Sequence, residues 1–599
     1  MFKTISCGDI NRSHSGETVQ LAGWVHRRRD HGGLIFIDLR DTTGIVQVVF
    51  DPLETPGVHK IAETFRSEWV LLVGGNVSLR PEGSGNPNIS TGEIEVRATT
   101  VEILNQSKTP PFEIADESTI DELLRMQYRY LDLRTKKMHD NIKLRHKVVK
   151  YIRDFLDSRA FIEIETPILT KSTPEGARDF LVPSRLNPGT FYALPQSPQQ
   201  LKQLLMVSGF ERYFQIAHCF RDEDLRGDRQ YEHTQLDIEM SFVDENDVME
   251  LVETLYSSIV KDIAVDRIAS DKFPRLKYDE VMEKYGTDKP DLRYELELVT
   301  LTDVIYKTGI RILTAAIDNG GIVKGLVAPG CAEYSRKDLD SLVSFVQTRG
   351  GEGLVYIALD KKAGDIKNLE MEHIRSPISR HLTTEQIIEI AKRADANPGD
   401  LILLAAGPAK LINTVMSQVR QEIADRLGLT NPKNLAFAFV TDFPLFEWDE
   451  DGNHWEASHH LFTSPWEEHW GLLDQDPGKM KARHYDLVCN GMELASGSIR
   501  IHNRQKQERI MEFLGYTKHQ MEDRFGQILG ALEFGAPPHG GIAPGIDRFM
   551  TLLTDHAESI RDVIAFPKTQ SGADPLFNTP SSVTPEQLKE LHIKVSENS

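Results

Sequence analysis

Residues 212–240, RYFQIAHCFRDEDLRGDRQYEHTQLDIEM, begin as an apolar strand and then carry charged and amide side chains through an otherwise apolar element. Upstream, HKVVKYIRDFLDSRAF (146–161) sets Val148, Ile152, Phe155 and Leu156 at helical spacing and leads into FIEIETPIL (161–169), a strand-like run. FYALP (191–195) predicts a further strand, with a helix over PQQLKQLLMVSGF (198–210) before the quoted stretch. Strands and helices mixed without regular βαβ alternation indicate α+β architecture rather than a doubly wound sheet.

A chain of 599 residues exceeds one hydrophobic core, and about four domains are expected. ETVQLAGWV, GLIFIDLRD, GIVQVVFD, WVLLVGGNVSL and GEIEVRATTVEIL, all within residues 17–104, read as five strands separated by turn residues. Five strands in so short a span predict a small closed barrel of the oligonucleotide-binding (OB) kind. KTPPF (108–112) is a stiff linker. An α/β module follows the quoted stretch, with strands LVYIAL and LILLAA and helices near 337–348, 384–394 and 409–427; VTDFPLFEW (440–448) then resumes the core as a strand. The expected division is a barrel over 1–107, a hinge over 108–135, a core in two parts over 136–286 and 421–560, an insertion over 287–420 and a C-terminal extension over 561–599.

Composition narrows the function. The chain carries 69 basic and 90 acidic side chains, a net charge of −21, which weighs against a nonspecific nucleic-acid binder without excluding a local basic patch. No GxxxxGK[ST] loop, HExxH helix or CxxC pair occurs, so neither a P-loop nor a zinc site is expected, and nothing points to haem or an organic cofactor. The start lacks a secretory pattern, no apolar run reaches membrane-spanning length, and the four cysteines lie far apart. A reducing, cytoplasmic location with no membrane partner is expected.

Three constellations carry chemistry. On the predicted barrel, Phe36 and Gln47 face away from Ile35, Ile37, Leu39, Val46, Val48 and Phe50, and Arg27, Arg28 and Arg29 precede them; an outward aromatic, an amide and guanidiniums suit unpaired bases. The alternative is that Phe36 caps the barrel and the arginines are solvated. Glu175, Gln199, Lys202, Arg221, Glu223 and Asp237 form a second set, whose two signs of charge suit a zwitterionic substrate; Arg226 and Arg229 near Arg221 suit polyphosphate. Here the alternative is a surface ion-pair network. In DLVCNGMELASGSIRIHN, Asp486 and Glu493 on a hairpin are placed to hold Mg²⁺, with Arg500 on the next strand. Gly540, Gly541 and Gly545 allow close approach of backbone to a ligand, and Arg548 opens an apolar helix.

These motifs identify a family. The ETP segment with Pro167, FRDE with Arg221 and GIDR with Arg548 resemble the three signature motifs of class II aminoacyl-tRNA synthetases, and PEGARDFLVPSR, QSPQQLKQLLM, CFRDEDLR, SHHLFTSP and IRDVIAFPK resemble the bacterial aspartyl type over nearly the whole chain. The resemblance implies an anticodon-binding OB barrel, a hinge, an antiparallel-sheet catalytic core interrupted by an insertion, and a homodimer. It also implies activation of L-aspartate by ATP with Mg²⁺ and transfer to tRNA. Glu175, Gln199 and Asp237 would hold the aspartate ammonium, and Lys202 and Arg500 its side-chain carboxylate, under a loop bearing His459. Arg221 would meet the α-phosphate and Arg548 the γ-phosphate. Asp222, Glu223, Gln230, His233, Gly545, Ile546 and Asp547 would complete the ATP site, with Asp486 and Glu493 on the metal. Arg29, Phe36, Gln47 and Glu95 match the anticodon readers.

The chain departs from the family pattern at His233, where Phe is usual, at Leu461, where Pro is usual, and at Ala495 and Ser496, in a stretch more often all glycine. His31 in RRRDHGG and Gly83 in RPEG resemble members that charge both the aspartate and the asparagine tRNA. Dual charging is therefore expected, and with it a separate amidotransferase acting on the misacylated product. The competing readings are an enzyme strict for the aspartate tRNA, an asparaginyl or lysyl relative, and a non-catalytic RNA-binding paralogue.

Overall fold

The computed structural model describes residues 2–114, 120–173 and 177–596, and the chain divides into two compact units, 1–139 and 140–599.

The first unit holds a closed barrel of β1 (Thr18–His31), β2 (Leu34–Arg40), β3 (Ile45–Phe50), β4 (Val70–Leu79) and β5 (Ile94–Asn105), ordered β1-β2-β3-β5-β4. Period-two alternation sends Ile35, Ile37 and Leu39 inward, where all three are buried beside Val48, Phe50 and Val96. The expected strands are present, but β1 runs on to His31, beyond the expected end at Val25, so Arg27, Arg28 and Arg29 lie within it. It turns into β2 through Gly32 and Gly33, with φ of +59° and +82°, a two-residue hairpin that demands left-handed backbone at both positions.

The second unit is built on an eight-stranded sheet: β6 (Ile162–Glu163), β7 (Arg212–Phe220), β8 (Glu232–Ser241), β9 (Arg275–Lys277), β10 (Phe437–Thr441), β11 (His484–Cys489), β12 (Met492–Ile499) and β13 (His539–Pro544). Their order is β9-β10-β11-β12-β13-β8-β7-β6, antiparallel except at the outer pairs β9/β10 and β6/β7. One face is apolar: Phe214, Leu236, Ile238 and Leu487 pack with Val148, Ile152, Phe155 and Leu156 of helix α1 (Lys136–Asp157) and with Phe549. The opposite face carries the alternate residues, among them Gln235, Asp237 and Glu239, which are equally buried yet polar. Two helices set side chains against that face, α2 (Gln199–Val207) and α3 (Ile546–Leu552).

Between β9 and β10, strands Leu298–Thr300, Ile322–Ala328, Leu401–Gly407, Val355–Leu359 and Ile374–Arg375 form a separate antiparallel sheet in that spatial order. Leu401 and Leu403 belong to one apolar cluster, Ile402 and Leu404 to another. LILLAA reads as an unbroken apolar run because both faces of its strand are covered.

Four local expectations are corrected. FIEIETPIL is strand only over Ile162–Glu163; Pro167 lacks a donor and the segment leaves the sheet before it. VTDFPLFEW does not continue as one strand: β10 ends at Thr441, Asp442 takes φ +59° ahead of Pro444, and Phe446–Asp449 pairs instead with His454–Ala457. Arg500 directly follows β12, in a single bridge with Thr463, and does not lie on a further strand. Gly540 and Gly541 make room for neighbouring strands rather than for a ligand: a Cβ on Gly541 would overlap the Glu239 carboxylate and the Ile238 carbonyl, and one on Gly540 would meet Ile499 and Ser498. Among the described residues, no helix is long and apolar enough to cross a membrane.

Gly541→Ala is expected to destabilise the protein by about 3 kcal/mol, because neither the β8 backbone nor the clamped Glu239 has freedom to yield. Thermal melting checks this; a midpoint equal to that of the unaltered chain would contradict the packing described.

Candidate active site

On the polar face of the sheet lies a cavity of about 750 Å³. Beneath its lining, bound to Lys202 and Arg500 of the wall, lies Glu239, a residue not among those expected from the sequence. Glu239 and Asp237 sit two residues apart on β8, on one face and without exposure. Arg500 donates from Nε to Glu239 Oε1 (3.0 Å) and from Nη2 to Oε2 (3.1 Å), a bidentate pair. Lys202, on α2, donates to Asp237 Oδ1 at 2.8 Å and lies 3.3 Å from Glu239 Oε2. Burial works against the charge of Glu239, yet Arg500 and Lys202 draw its pKa down to about 2. Asp237 moves the other way, pushed up by burial against the pull of Lys202. Two cations and two acids are therefore locked into one buried cluster.

Several polar atoms around this centre are buried without a protein partner: Asp237 Oδ2, Gln199 Nε2, Gln235 Nε2 and Arg221 Nε. Unsatisfied groups of this kind cost stability in a folding core and are what a polar ligand would satisfy. His459 and His460 close the same end. Burial holds both imidazoles well below their usual pKa, helped at His459 by the neighbouring His484 and His460 rings and at His460 by Arg500 and Lys202, so both are neutral. His460 Nε2 lies 2.7 Å from Arg500 Nη1, while His459 Nε2 lies 3.1 Å from Ser496 Oγ.

The other end gathers cations and acids. Arg221 follows β7, and Arg548 in the first turn of α3 donates to the Glu493 carbonyl (2.9 Å) and pairs with Asp228 (3.2 Å). Asp486 and Glu493, brought together by the β11–β12 hairpin, line the cavity; burial and then Asp486 raise the pKa of Glu493. Two facing carboxylates that resist joint ionisation are a donor set a divalent cation would relieve. His233 is half-buried near Arg221 and Arg548, with its pKa lowered to about 3, chiefly by loss of solvent. It is a neutral ring beside these two cations. Gln230 accepts from the Lys568 backbone N–H through Oε1 (2.9 Å) and leaves Nε2 unpartnered.

Of the residues expected here, Gln199, Lys202, Arg221, Glu223, Gln230, His233, His459, Asp486, Glu493, Arg500, Gly545, Asp547 and Arg548 line one cavity, and Asp237 lies against Lys202 beneath it. Three expectations need correction. Ile546 turns its side chain into the apolar core. Asp547 has both oxygens engaged, one by Arg145 and one by the Thr234 N–H (2.8 Å), so it pins α3 to β8. Asp222 stands outside the lining and faces Arg178 at 3.7 Å. Glu175 lies outside the described residues. Besides Glu239, the residues not anticipated are His460, His484 and Ser498, while Ser496, met in the sequence as a departure from a glycine stretch, lines the cavity; for Glu239 the signal was present, since DIE on a strand puts both acids on one face.

In the barrel unit, Arg29, Gln47 and Glu95 form one network beside Phe36, which pairs with Arg29 across β1 and β2. Arg29 Nη2 reaches Asp38 Oδ1 (2.6 Å) and Gln47 Oε1 (3.3 Å), and Gln47 Nε2 donates to Glu95 Oε2 (3.0 Å). Gln47 is not the outward amide expected; it is buried with both ends engaged. Phe36 is half-buried. His31 is exposed at the end of β1, and Gly83 adopts φ +81° in the loop between β4 and β5.

Comparison with known proteins gives a consistent result. Residues 121–570 match the family described as tRNA synthetases class II (D, K and N), and residues 19–104 match the OB-fold nucleic acid binding domain. A protein of Dehalococcoides mccartyi (strain CBDB1) named aspartate--tRNA(Asp/Asn) ligase is 52% identical over 595 residues, covering 99% of each chain. One of the same name from Syntrophomonas wolfei is 50% identical over 597 residues, covering 100% of each. Among solved structures, the asparaginyl-tRNA synthetase of Pyrococcus horikoshii complexed with asparaginyl-adenylate superposes with a TM-score of 0.58 at 18% identity, covering 98% of this chain and 100% of that one. The aspartyl tRNA synthetase of Entamoeba histolytica superposes with a TM-score of 0.57 at 17% identity, covering 93% and 89%. These structures share the fold. With an OB barrel ahead of an antiparallel core, and relatives half identical along its whole length, the chain belongs to the class II tRNA synthetases of the D, K and N group.

Proposed function

We infer that the chain is an aspartate–tRNA ligase that activates L-aspartate with ATP and esterifies it to the tRNAs for both aspartate and asparagine. The observation that carries the aspartate assignment is the pair of buried cations on the cavity lining. Lys202 and Arg500, held in place by Asp237 and Glu239, present an ammonium and a guanidinium side by side, where a substrate side-chain carboxylate can pair with both. An asparagine amide would leave a buried cation uncompensated. Asp237 Oδ2 and Gln199 are suited to the substrate ammonium and amino-acid backbone.

The reaction then needs alignment and charge neutralisation rather than a protein nucleophile. The aspartate α-carboxylate attacks the α-phosphorus, the bond to the β-phosphate oxygen breaks, and pyrophosphate leaves with its charge against Arg548; Arg221 meets the α-phosphate. Asp486 and Glu493 would hold the divalent cation, which we take to be Mg²⁺ and which supplies charge neutralisation at the phosphates. The terminal ribose hydroxyl of tRNA next attacks the activated carboxyl, and AMP departs. His233 offers a neutral ring to adenine.

We assign residues 1–107 to anticodon binding, 108–135 to a hinge, 136–286 and 421–560 to the catalytic core, 287–420 to an insertion and 561–599 to an extension. Arg29, Phe36, Gln47 and Glu95 are the proposed base readers, with His31 and Gly83 relaxing discrimination; the names of the half-identical relatives favour dual charging. A homodimer is supported by half-exposed Ile162 on the edge strand β6 and exposed Phe242 after β8. Four free, buried cysteines suit the cytosol. Dual charging requires an amidotransferase elsewhere to convert aspartyl-tRNA(Asn).

Purified protein is expected to aspartylate the aspartate and asparagine tRNAs to comparable extents at one fixed salt concentration; charging of the first alone would remove the dual assignment. His31→Leu is expected to lower asparagine-tRNA charging selectively, and an equal loss on both tRNAs would dismiss His31 as a discriminator. Arg548→Ala should cut aspartate-dependent ATP–pyrophosphate exchange at least ~100-fold, and normal exchange would refute its phosphate role. Phe36→Ala should weaken tRNA charging about ten-fold through lost base stacking, with exchange intact.

A further inference from the structure

Between the acids at one end of the cavity and the cations at the other runs an unbroken line of short polar contacts. His484 Nε2 lies 2.8 Å from Asp486 Oδ1 and 2.9 Å from Ser496 Oγ. Ser496 Oγ lies 3.1 Å from His459 Nε2, and His459 Nδ1 lies 3.2 Å from Thr463 Oγ1. Thr463 Oγ1 donates to Ser498 Oγ (3.1 Å), which also accepts from Arg500 Nη1 (2.5 Å). The two imidazoles are also stacked, with centroids 4.1 Å apart and planes within 3°.

The hydrogens of this line can be ordered. Arg500 has only donors, so Ser498 accepts from it. Thr463 spends its one hydrogen on Ser498 and must accept from His459 Nδ1. His459 is neutral, so its Nε2 is then the acceptor, and the Ser496 hydroxyl donates to it. Ser496 is left to accept, and its remaining partner is the His484 N–H, shared with Asp486. His484 Nδ1 is buried without a partner, so the ring meets its polar neighbours through Nε2 alone. Asp486 and Ser496 thus compete for one hydrogen. When Asp486 holds it less, Ser496 receives more, and the Ser496–His459 bond tightens as hydrogen bonds in a chain reinforce one another.

We propose that Ser496 is a positioning residue that couples the two substrate subsites: occupation of the Asp486–Glu493 end by nucleotide strengthens its hold on His459 and so tightens the aspartate end. His484 is the second member of the device, stacked between His459 and Phe443, whose ring centroid lies 4.2 Å away. This rests on the aspartate and ATP assignments above. Neither residue touches a reacting atom. The structure offers no other hydroxyl bridge between the two imidazoles among its described contacts.

The experiment is calorimetric titration of the full-length protein with L-aspartate, with and without Mg²⁺ and α,β-methylene-ATP, which cannot be turned over. The readout is the ratio of the two dissociation constants, which a structural defect weakening both equally would not move. The unaltered protein is expected to bind aspartate more tightly in the presence of the analogue. Ser496→Ala is expected to reduce that ratio about five-fold, the worth of one hydrogen bond. Ser496→Thr keeps the hydroxyl, with its methyl turned into the open cavity, and is expected to restore the ratio to within about two-fold. His484→Phe keeps the stack but not the N–H and is expected to match Ser496→Ala, with the double variant no worse than either. A ratio of one in the unaltered protein, an unchanged ratio in Ser496→Ala, or additive losses in the double variant would overturn the coupling. Absence of aspartate binding to the unaltered protein would instead overturn the substrate assignment, and the coupling with it.

Discussion

A carboxylate removed from water is tolerated only where charge and hydrogen bonds replace its hydration. Glu239 meets that condition with two oxygens bound by one guanidinium and one of them also close to an ammonium. The three members arrive from unconnected places: β8 supplies the acid, the residue after β12 the arginine and α2 the lysine. Removing one member strands the others in a buried site. The same arrangement fixes the spacing of the cations and holds their side chains still before any substrate enters, which is the preorganisation a selective charged site requires.

The backbone has been shaped around this cluster. Gly541, directly across from Glu239 in the β8–β13 ladder, has no side chain because the carboxylate fills that volume. Asp547 extends the same logic to the phosphate end: by binding the Thr234 N–H and Arg145 it fixes the start of α3, and with it the reach of Arg548. Residues that look like ligand contacts in a motif here act as fasteners for the residues beside them.

Much of this was legible in the sequence. Alternation in GLIFIDLRD and GIVQVVFD gave the barrel, and helical spacing of Val148, Ile152, Phe155 and Leu156 gave the helix that covers the core. What escaped had physical reasons. Pro167 and Asp442 end strands that an apolar run alone suggests should continue. Gln47 was read as outward from strand parity, which is correct for direction but cannot reveal that Arg29 and Glu95 enclose it from other strands. The motif logic selects charged residues facing a substrate and overlooks those facing one another, and so Glu239 was missed. His484 was invisible, and Ser496 stood out only as a departure from a glycine stretch, because their contacts depend on which residues a bulge between Leu487 and Val488 brings into line.

Strand β8 is flanked in the sheet by β7, its immediate predecessor, and by β13, which begins at His539. On a ribosome emitting the chain from its N-terminus, β8 is complete by residue 241, yet its second neighbour follows nearly three hundred residues later. At ordinary elongation rates of about 5–20 residues per second, one edge of the strand waits roughly 15 to 60 s for its partner. Throughout that interval its backbone donors and acceptors, together with Glu239, have no completed surroundings, and Arg500 is made only near the interval's end. The nascent chain is thereby obliged to remain unfinished at its centre until β13 has been made, a period in which shelter by a chaperone has the most to protect.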